Sequence, residues 1–324
     1  MLQTRLTGLR FAPSPTGHLH LGGIRTALFS YLLSAQQRVP FILRIEDTDQ
    51  QRLVQGASEK IANSLKLAGI RYSLGPGSVS PLGPFVQSQR LDIYHKYAQQ
   101  LIRDGHAYKC YCSTERLERV REISKKTGKV GYDKHCSALS AEELLAVSEN
   151  PFTIRFRIPR VKNVVVNDKV HGALSFSTRL LEDIVIVKSD GYPTYHLASV
   201  VDDHLMNISH VMRGDEWIPS SPIHALLYQA FSWPVPEFAH LPLLINKDGS
   251  KLSKRHGDVH FDTLIEKGYL PEALVNFVAL LGWSPPSKKE IYSLEELVKD
   301  VYRVLSSFRW RELANLQVLS HTIG

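Results

Sequence analysis

The chain has 324 residues, enough for a sizeable core and for more than one domain. Hydrophobic residues make up 43% and charged residues 22%, which is ordinary for a folded, water-soluble protein. No apolar run approaches the ~18 residues of a membrane-spanning helix, which excludes that class, while the net charge of +7 favours an anionic partner, nucleic acid first.

Strands and helices alternate along the chain, and this alternation predicts an α/β fold built on a parallel sheet. The apolar run Leu9–Ala12 is typical of a strand that is ended by breakers from Pro13 onward. Apolar residues then recur at helical spacing from Leu21 to Ala35, and a second strand is predicted at Val39–Ile45. Later strands are predicted at Phe152–Ile158, Ile184–Val187, Ile208–Met212 and Leu241–Ile245.

The pattern changes between Asp104 and Arg179. That stretch holds all three cysteines, a basic segment at Arg116–Lys129 and strand-like runs. We interpret it as a subdomain inserted between two halves of the main domain, with a further region after them. The predicted parts are residues 1–104 for the first half of the main domain, 105–180 for the insertion, 181–283 for the second half and 284–324 for the further region.

Polar residues gather where the first predicted strand gives way to a helix. His18, His20, Gly22 and Gly23 lie at this junction. Ligands of open α/β sheets bind beyond the carboxyl ends of the strands, and a helix N-terminus offers free N–H groups and a positive dipole end. Paired glycines also let a nucleotide approach the backbone closely. The junction therefore favours a nucleotide site over simple packing of the histidines.

A second candidate feature is the basic segment LPLLINKDGSKLSKRHGD at 241–258, which carries Lys247, Lys251, Lys254 and Arg255. An isolated basic loop is most often a solvated turn. The alternative is a clamp for a polyphosphate, and the residues of the loop alone leave both readings open.

Taken together, these segments resemble the class I glutamyl-tRNA synthetases. RFAPSPTGHLHLGGIRTAL at 10–28 is similar to the first signature of that family, with His20-Leu21-Gly22-Gly23 in the place of its HIGH motif. Four more motifs follow in the family's order, and five motifs in register argue strongly against coincidence. They are FILRIEDTD at 41–49, SDGYPTYHLASVVDDHLM at 189–206, RGDEW at 213–217 and GSKLSKR at 249–255. The resemblance implies a Rossmann-like parallel sheet with an inserted α/β subdomain that binds the tRNA acceptor arm.

The resemblance also implies an ATP site. In the family, the loop matched by residues 251–255 closes over ATP, and its cations neutralise the charge that develops as pyrophosphate leaves. His20, Lys251 and Lys254 are the implied catalytic residues, with Lys254 the main cation, and Mg²⁺ is expected on the phosphates. The implied ATP-binding residues are His20, Gly22, Gly23, Glu216, Lys251, Leu252, Ser253, Lys254 and Arg255.

Glutamate has two carboxylates and one ammonium group, so its site needs at least two cations and one anion. The resemblance places Arg10 and Arg213 on the carboxylates and Glu46 on the ammonium, and an arginine fork binds a carboxylate with two hydrogen bonds. For Glu46 the alternatives are an ordinary surface acid or a partner for Arg44. Ser199 departs from the family, which often has Asn there, so its role stays open. The implied glutamate-binding residues are Arg10, Ala12, Ser14, Glu46, Tyr195, Ser199 and Arg213.

Cys110-Tyr111-Cys112 and Cys136 resemble the zinc knuckle of some family members. A structural zinc ion takes four ligands in a tetrahedron. Some relatives supply a histidine two residues after the third cysteine, where this chain has Ala138, so Tyr132 or His135 is the candidate fourth ligand. The implied set is Cys110, Cys112, Tyr132 and Cys136, and the alternative is three buried thiols without metal.

We therefore expect a glutamate–tRNA ligase that forms glutamyl-adenylate and transfers the glutamyl group to the 3′-terminal adenosine of tRNA(Glu), with tRNA(Gln) a second candidate. One alternative is a glutamyl-queuosine tRNA(Asp) synthetase, against which KLSKRHGD and LPEALVNFVALLGW at 270–283 argue. The other is a truncated tRNA-binding module, because the family pattern stops after Asp300 and relatives carry a helical anticodon-binding region there. Without an anticodon-binding region the chain would make few contacts with tRNA bases, so its binding to tRNA is expected to be weak and salt-sensitive.

A monomer without membrane association is expected. Three cysteines are too few for a disulfide framework and indicate a reducing compartment. The basic composition and the type of catalytic body suit the mitochondrial matrix, with the bacterial cytoplasm as the alternative.

Overall fold

The computed structural model describes residues 8–128, 131–244, 260–281 and 289–306, with side chains described up to residue 300. The strands in these ranges are β1 (Gly8–Phe11), β2 (Phe41–Leu43), β3 (Ala107–Cys110), β4 (Thr153–Phe156), β5 (Asn163–Asp168), β6 (Gly172–Ser177), β7 (Val185–Val187), β8 (Ile208–Gly214) and β9 (Glu237–Leu241). The helices are α1 (Leu21–Gln37), α2 (Ala57–Leu67), α3 (Leu91–Arg103), α4 (Thr114–Thr127), α5 (Ala141–Val147), α6 (Tyr195–Leu205), α7 (Ser221–Ala230), α8 (Phe261–Glu266), α9 (Pro271–Leu280) and α10 (Leu294–Ser306). None of the helices in these ranges is both long enough and apolar enough to cross a membrane.

The larger sheet has six strands in the order β2–β1–β8–β9–β5–β6. The first five pair in parallel, and β6 closes one edge as an antiparallel hairpin with β5. The predicted α/β fold on a parallel sheet is confirmed, since only the edge hairpin departs from parallel pairing.

The sheet separates two clusters of buried apolar side chains. One cluster packs α1, α8 and α9 together, and the other packs α3, α6 and α7. Val211 and Met212 are successive residues of β8 yet belong to different clusters, because neighbouring side chains on a strand point to opposite faces. A sheet covered on both faces leaves the ends of its strands as the place for a ligand.

The inserted region is built on a second, antiparallel sheet in the order β3–β4–β7. The hairpin β5–β6 falls inside the predicted insertion 105–180 but extends the main sheet instead. Strand β7 lies just after residue 180 but pairs with β4. Hydrogen bonding in the two sheets therefore crosses the predicted boundary at residue 180.

One predicted strand is displaced. The sequence predicts a strand at 241–245, but β9 runs over Glu237–Leu241 and the chain has no regular structure at 242–244. Pro242 has no N–H to donate and cannot continue a parallel ladder, so the strand ends before it.

Candidate active site

A cavity of about 390 Å³ opens at the carboxyl ends of the central parallel strands. Such a volume suits a small-molecule ligand. The cavity is lined by ten of the residues that the sequence assigned to ATP or glutamate, which are Arg10, Ala12, Ser14, His20, Gly22, Gly23, Glu46, Tyr195, Arg213 and Glu216. Arg10 and Glu216, far apart along the chain, are thus brought to one site because parallel strands end at the same edge.

The N-terminus of α1 forms one side of this cavity. His20 caps the helix, and its Nδ1 accepts the N–H of Gly23 at 3.1 Å. A Cβ atom on Gly23 would lie 2.5 Å from the side chain of Leu19, and one on Gly22 would lie 3.0 Å from the ring of His20. A side chain at either position would crowd these neighbours, and the bare backbone leaves the helix N-terminus open to an anionic ligand.

The predicted residues Lys251, Leu252, Ser253, Lys254 and Arg255 lie outside the described residues, which resume at His260. The chain on either side of them is placed beside the α1 junction. Leu244 lines the cavity, His260 forms a β-bridge with His20, and the Phe261 N–H donates to the Leu19 carbonyl at 3.0 Å. Leu244 and His260, the described residues that flank 245–259, therefore both lie next to the predicted ATP site.

Arg10 is buried and held by a carboxylate that the sequence analysis missed. Its Nε and one terminal nitrogen donate to the two oxygens of Asp203 at 3.0 and 3.3 Å, and the other terminal nitrogen donates to the Met212 carbonyl at 3.2 Å. Asp203 lies on α6 and Arg10 on β1, so the pair fixes the guanidinium at the cavity wall.

Arg44 is fully buried and joins this pair to Glu46. It donates to Asp203 at 2.7 Å and to Glu46 at 3.0 Å, and its Nε lies 3.8 Å from Asp202. Burial would raise the pKa of Asp203, but Arg10 and Arg44 outweigh it and hold that pKa below its ordinary value. Burial raises the pKa of Glu46 despite the nearby arginines. Glu46 is thus both a partner for Arg44, as one alternative supposed, and part of the cavity wall.

Arg213 also lines the cavity and lies on β8, the neighbour of β1 in the sheet. One of its terminal nitrogens donates to the Tyr195 hydroxyl at 2.8 Å, and the other donates to the Ser221 hydroxyl at 3.0 Å. Arg213 and Tyr195, which the sequence both assigned to a carboxylate of glutamate, are thus hydrogen-bonded to each other, and their contact with glutamate stays a prediction. The rings of Tyr195 and Trp217 pack against each other at a tilt in the same wall, with centroids 4.3 Å apart.

Ser199 stands apart from the other predicted residues. It is 1% exposed, its hydroxyl has no hydrogen-bond partner among the described residues, and the cavity lining does not include it. A contact between Ser199 and glutamate remains a prediction.

Sequence reasoning also missed Arg25 of α1, which lines the cavity. Its guanidinium donates to the carbonyls of Pro242 and Leu281, and burial lowers its pKa to about 10. Its spacing within an amphipathic helix gave no sign of a site, because an arginine on a helix is usually solvated. Its contact with Pro242 ties α1 to the segment that leads toward residues 245–259.

The three cysteines come together in the inserted region. The sulfurs of Cys110, Cys112 and Cys136 all lie within 4.8 Å of one another, and the Tyr132 hydroxyl lies 3.3 Å from Cys110 Sγ and 3.5 Å from Cys112 Sγ. Zinc–sulfur bonds of about 2.3 Å place the sulfurs of a tetrahedral site about 4 Å apart, so this donor set fits structural zinc. His135 is exposed and is not part of the group, which makes Tyr132 the better fourth ligand.

Comparison with known proteins agrees with these features. The profile of the family described as tRNA synthetases class I (E and Q), catalytic domain, matches residues 7–319. The glutamate–tRNA ligase of Clostridioides difficile is 49% identical over 302 residues, and that of Clostridium tetani is 50% identical over 295 residues. These alignments cover 90% and 89% of this chain but 61% and 60% of the two relatives. The chain therefore spans about three fifths of their length.

A similar fold is present in the crystal structure of the glutamate-tRNA synthetase from Elizabethkingia anophelis. The TM-score is 0.85 at 41% sequence identity, and the match covers 91% of this chain and 65% of that one. The Rossmann-like architecture implied by the sequence is confirmed. The chain belongs to the class I tRNA synthetases of the E and Q group and carries the family's catalytic domain.

Proposed function

We propose that this chain is a glutamate–tRNA ligase that activates L-glutamate with ATP and transfers it to tRNA(Glu), with tRNA(Gln) a second candidate acceptor. The observation that carries the proposal is one cavity in which Arg10, Arg213 and Glu46 lie beside the open N-terminus of α1. Two cations and one carboxylate complement an amino acid with a second carboxylate, and a helix N-terminus complements a nucleotide phosphate. The sequence similarity of this chain to the glutamate–tRNA ligases named above also supports the proposal.

In the proposed reaction, an oxygen of the glutamate α-carboxylate attacks the α-phosphorus of ATP, and pyrophosphate leaves. Arg10 and Arg213 bind the carboxylates of the substrate and Glu46 binds its ammonium, which orients the amino acid for attack. His20, Gly22 and Gly23 bind the nucleotide, and Mg²⁺ accompanies its phosphates. Lys251 and Lys254 stabilise the charge that develops on the departing pyrophosphate.

Aminoacylation of purified tRNAs separates this function from its alternatives. We expect the full chain to attach labelled glutamate to tRNA(Glu). Labelling of tRNA(Asp) alone would identify a glutamyl-queuosine tRNA(Asp) synthetase instead. Retention of tRNA without any labelling, in the presence of ATP and glutamate, would identify a binding module.

Lys254→Ala is expected to raise the barrier to adenylate formation by about 2–4 kcal/mol, the range for losing one preorganised transition-state group. ATP affinity should change much less, because the cation acts on charge that appears only as pyrophosphate leaves. Single-turnover formation of glutamyl-adenylate measures the barrier, and ATP titration measures the affinity. Lys247→Ala, in the same basic segment but outside the matched motif, is the control. Weakened ATP binding with intact turnover would contradict the assigned role.

We also propose that Cys110, Cys112, Tyr132 and Cys136 hold a structural zinc ion that orders the inserted region. The ion would be remote from the chemistry and would act through stability, because metal binding to a folded site is coupled to folding. The alternative remains three buried thiols without metal.

Metal analysis tests the zinc proposal. The purified chain is expected to contain one zinc ion, and Cys136→Ser is expected to lower both the zinc content and the melting temperature. Tyr111→Phe, between two of the proposed ligands, should retain the metal. Wild-type protein that stays metal-free after dialysis against zinc would favour the unmetallated thiols.

For the compartment, we propose the bacterial cytoplasm, the second of the two expected locations, because the named relatives come from bacteria. The bacterial origin of these relatives gives no support for the mitochondrial matrix, the first of the two expected locations. A monomeric state stays a proposal that size-exclusion chromatography with light scattering can test.

A further inference from the structure

The environment of Arg213 differs from that of Arg10 and Arg44, two other buried arginines of the site. Arg10 and Arg44 each pair directly with a carboxylate. Arg213 is buried as well, but within the described residues it makes no ion pair with a carboxylate, and its hydrogen bonds all go to neutral acceptors. These acceptors are the Tyr195 hydroxyl, the Ser221 hydroxyl, the Trp217 carbonyl and the rings of His224 and His240.

The hydrogen bonds to Arg213 determine which ring nitrogen of His240 carries the proton. Arg213 Nε–H is a donor only, and it lies 2.9 Å from His240 Nε2, so this nitrogen must accept. The proton of the neutral ring is then on Nδ1, which lies 2.6 Å from a carboxylate oxygen of Asp168. Both Asp168 and His240 have fully buried side chains. Asp168 therefore fixes the tautomer and the ring orientation that His240 needs in order to accept from Arg213.

The arrangement keeps the negative charge of Asp168 one imidazole away from the cation. A carboxylate in direct contact with Arg213 would weaken its attraction for a substrate carboxylate. A buried cation surrounded only by neutral acceptors keeps a strong preference for an anion, because burial without a counter-charge is costly. The same neutral acceptors hold the guanidinium in place, and an arriving carboxylate would replace one of them on a terminal nitrogen and form a stronger, charge-assisted hydrogen bond.

We propose that Asp168 and His240 are positioning residues for substrate recognition. They orient Arg213 through His240 Nε2. They also leave Arg213 without a direct carboxylate partner, so that it can bind a carboxylate of glutamate. The proposal rests on the proposed function for the identity of that anion. Neither residue lines the cavity itself, so their effect passes through Arg213.

Two substitutions at His240 separate its two hydrogen bonds. In His240→Gln the side-chain amide reaches the position of Nε2 and can still accept from Arg213. In His240→Asn the shorter amide reaches the position of Nδ1 and can still donate to Asp168, but it leaves Arg213 Nε–H without its acceptor. The control is His210→Asn in β8, which breaks another histidine–carboxylate pair, His210 with Glu237 at 2.9 Å, away from Arg213.

Glutamate- and ATP-dependent pyrophosphate exchange gives the kinetic readout. His240→Asn is expected to raise KM for glutamate by about tenfold to a hundredfold, the size of losing one hydrogen bond to a charged group, while KM for ATP stays within about twofold. His240→Gln should lie closer to the wild type, and His210→Asn should match it. Equal losses in both KM values and kcat for the two His240 variants would show a merely structural role and overturn the proposal.

The tautomer gives a readout that does not need activity. In nitrogen-15 NMR spectra of histidine-labelled protein, His240 is assigned by the signals that vanish in His240→Gln. It is expected as the neutral tautomer with the proton on Nδ1. A proton on Nε2 would overturn the proposal even in an active enzyme. The expected tautomer in a wild-type chain that shows no exchange with glutamate would instead count against the proposed function alone.

Discussion

Arg10→Ala is expected to abolish glutamate activation while leaving ATP binding in place. Arg10 lines the cavity and is held by both oxygens of Asp203 at 3.0 and 3.3 Å. Without it, Asp203 keeps Arg44 as its cationic partner, but the cavity wall loses a positive charge. A substrate carboxylate buried without its cation costs several kcal/mol, so exchange should fall below detection. Arg10→Lys keeps the positive charge but loses the two hydrogen bonds that a guanidinium makes to a carboxylate, so it should restore little glutamate activation.

Steady-state exchange at increasing glutamate, together with a separate ATP-binding titration, measures this effect. Arg103→Ala, at the exposed end of α3, is the matched control and should behave as the wild type. A near-normal KM for glutamate in Arg10→Ala would rule out the assigned role. Retained ATP binding excludes the explanation that the variant has simply failed to fold.

Arg44→Met is expected to lower the free energy of unfolding by about 3–5 kcal/mol, the range for removing one partner of a buried ion pair. Arg44 has 0% side-chain exposure and faces carboxylates of Asp203, Glu46 and Asp202. The methionine fills much of the space but supplies no positive charge, so these carboxylates stay buried with less compensation. Urea denaturation at neutral pH measures the loss.

The pH dependence of this loss has a definite sign. Removal of a neighbouring cation raises the pKa of a buried carboxyl group, and a group whose pKa is raised in the folded state favours folding at low pH and loses that contribution as pH rises. The deficit of Arg44→Met should therefore shrink as the pH is lowered from neutral toward the ordinary pKa of a carboxylate. Arg52→Met removes an exposed pair with Asp49 and should change stability by no more than about 1 kcal/mol. Equal deficits in both variants would contradict the importance of the buried network.

The sequence predicted the residues of the cavity better than the contacts that hold them. Arg10, Glu46 and Arg213 each lie close to the carboxyl end of a parallel strand, and strand topology alone brings such positions to one edge. The partners of these residues lie far away along the chain: Arg10 and Asp203 are 193 positions apart. No local pattern encodes that pairing. The one available signal was Asp203 itself, an acidic residue four positions after Ser199 in a mostly apolar helix.

Other differences have local causes. Strand β9 ends before Pro242 because proline has no N–H to donate to the sheet. The apolar run continues past Pro242, and a hydropathy pattern does not show that this N–H is missing. Hairpin β5–β6 was assigned to the insertion because its sequence follows β4, whereas its buried Val164 and Val166 pack in the core of the main domain. The sequence of this hairpin shows which face is buried, but it does not show which of the two sheets the hairpin joins.

Pyrophosphate exchange by the full chain in the presence of tRNA(Glu), compared between glutamate and glutamine, tests the central claim most directly. The amide of glutamine is neutral and cannot form the charge-assisted pairs that Arg10 and Arg213 offer, so we expect exchange with glutamate and a kcat/KM at least about a hundredfold lower with glutamine. Exchange that is equal or faster with glutamine, or absent with both amino acids, would contradict the account.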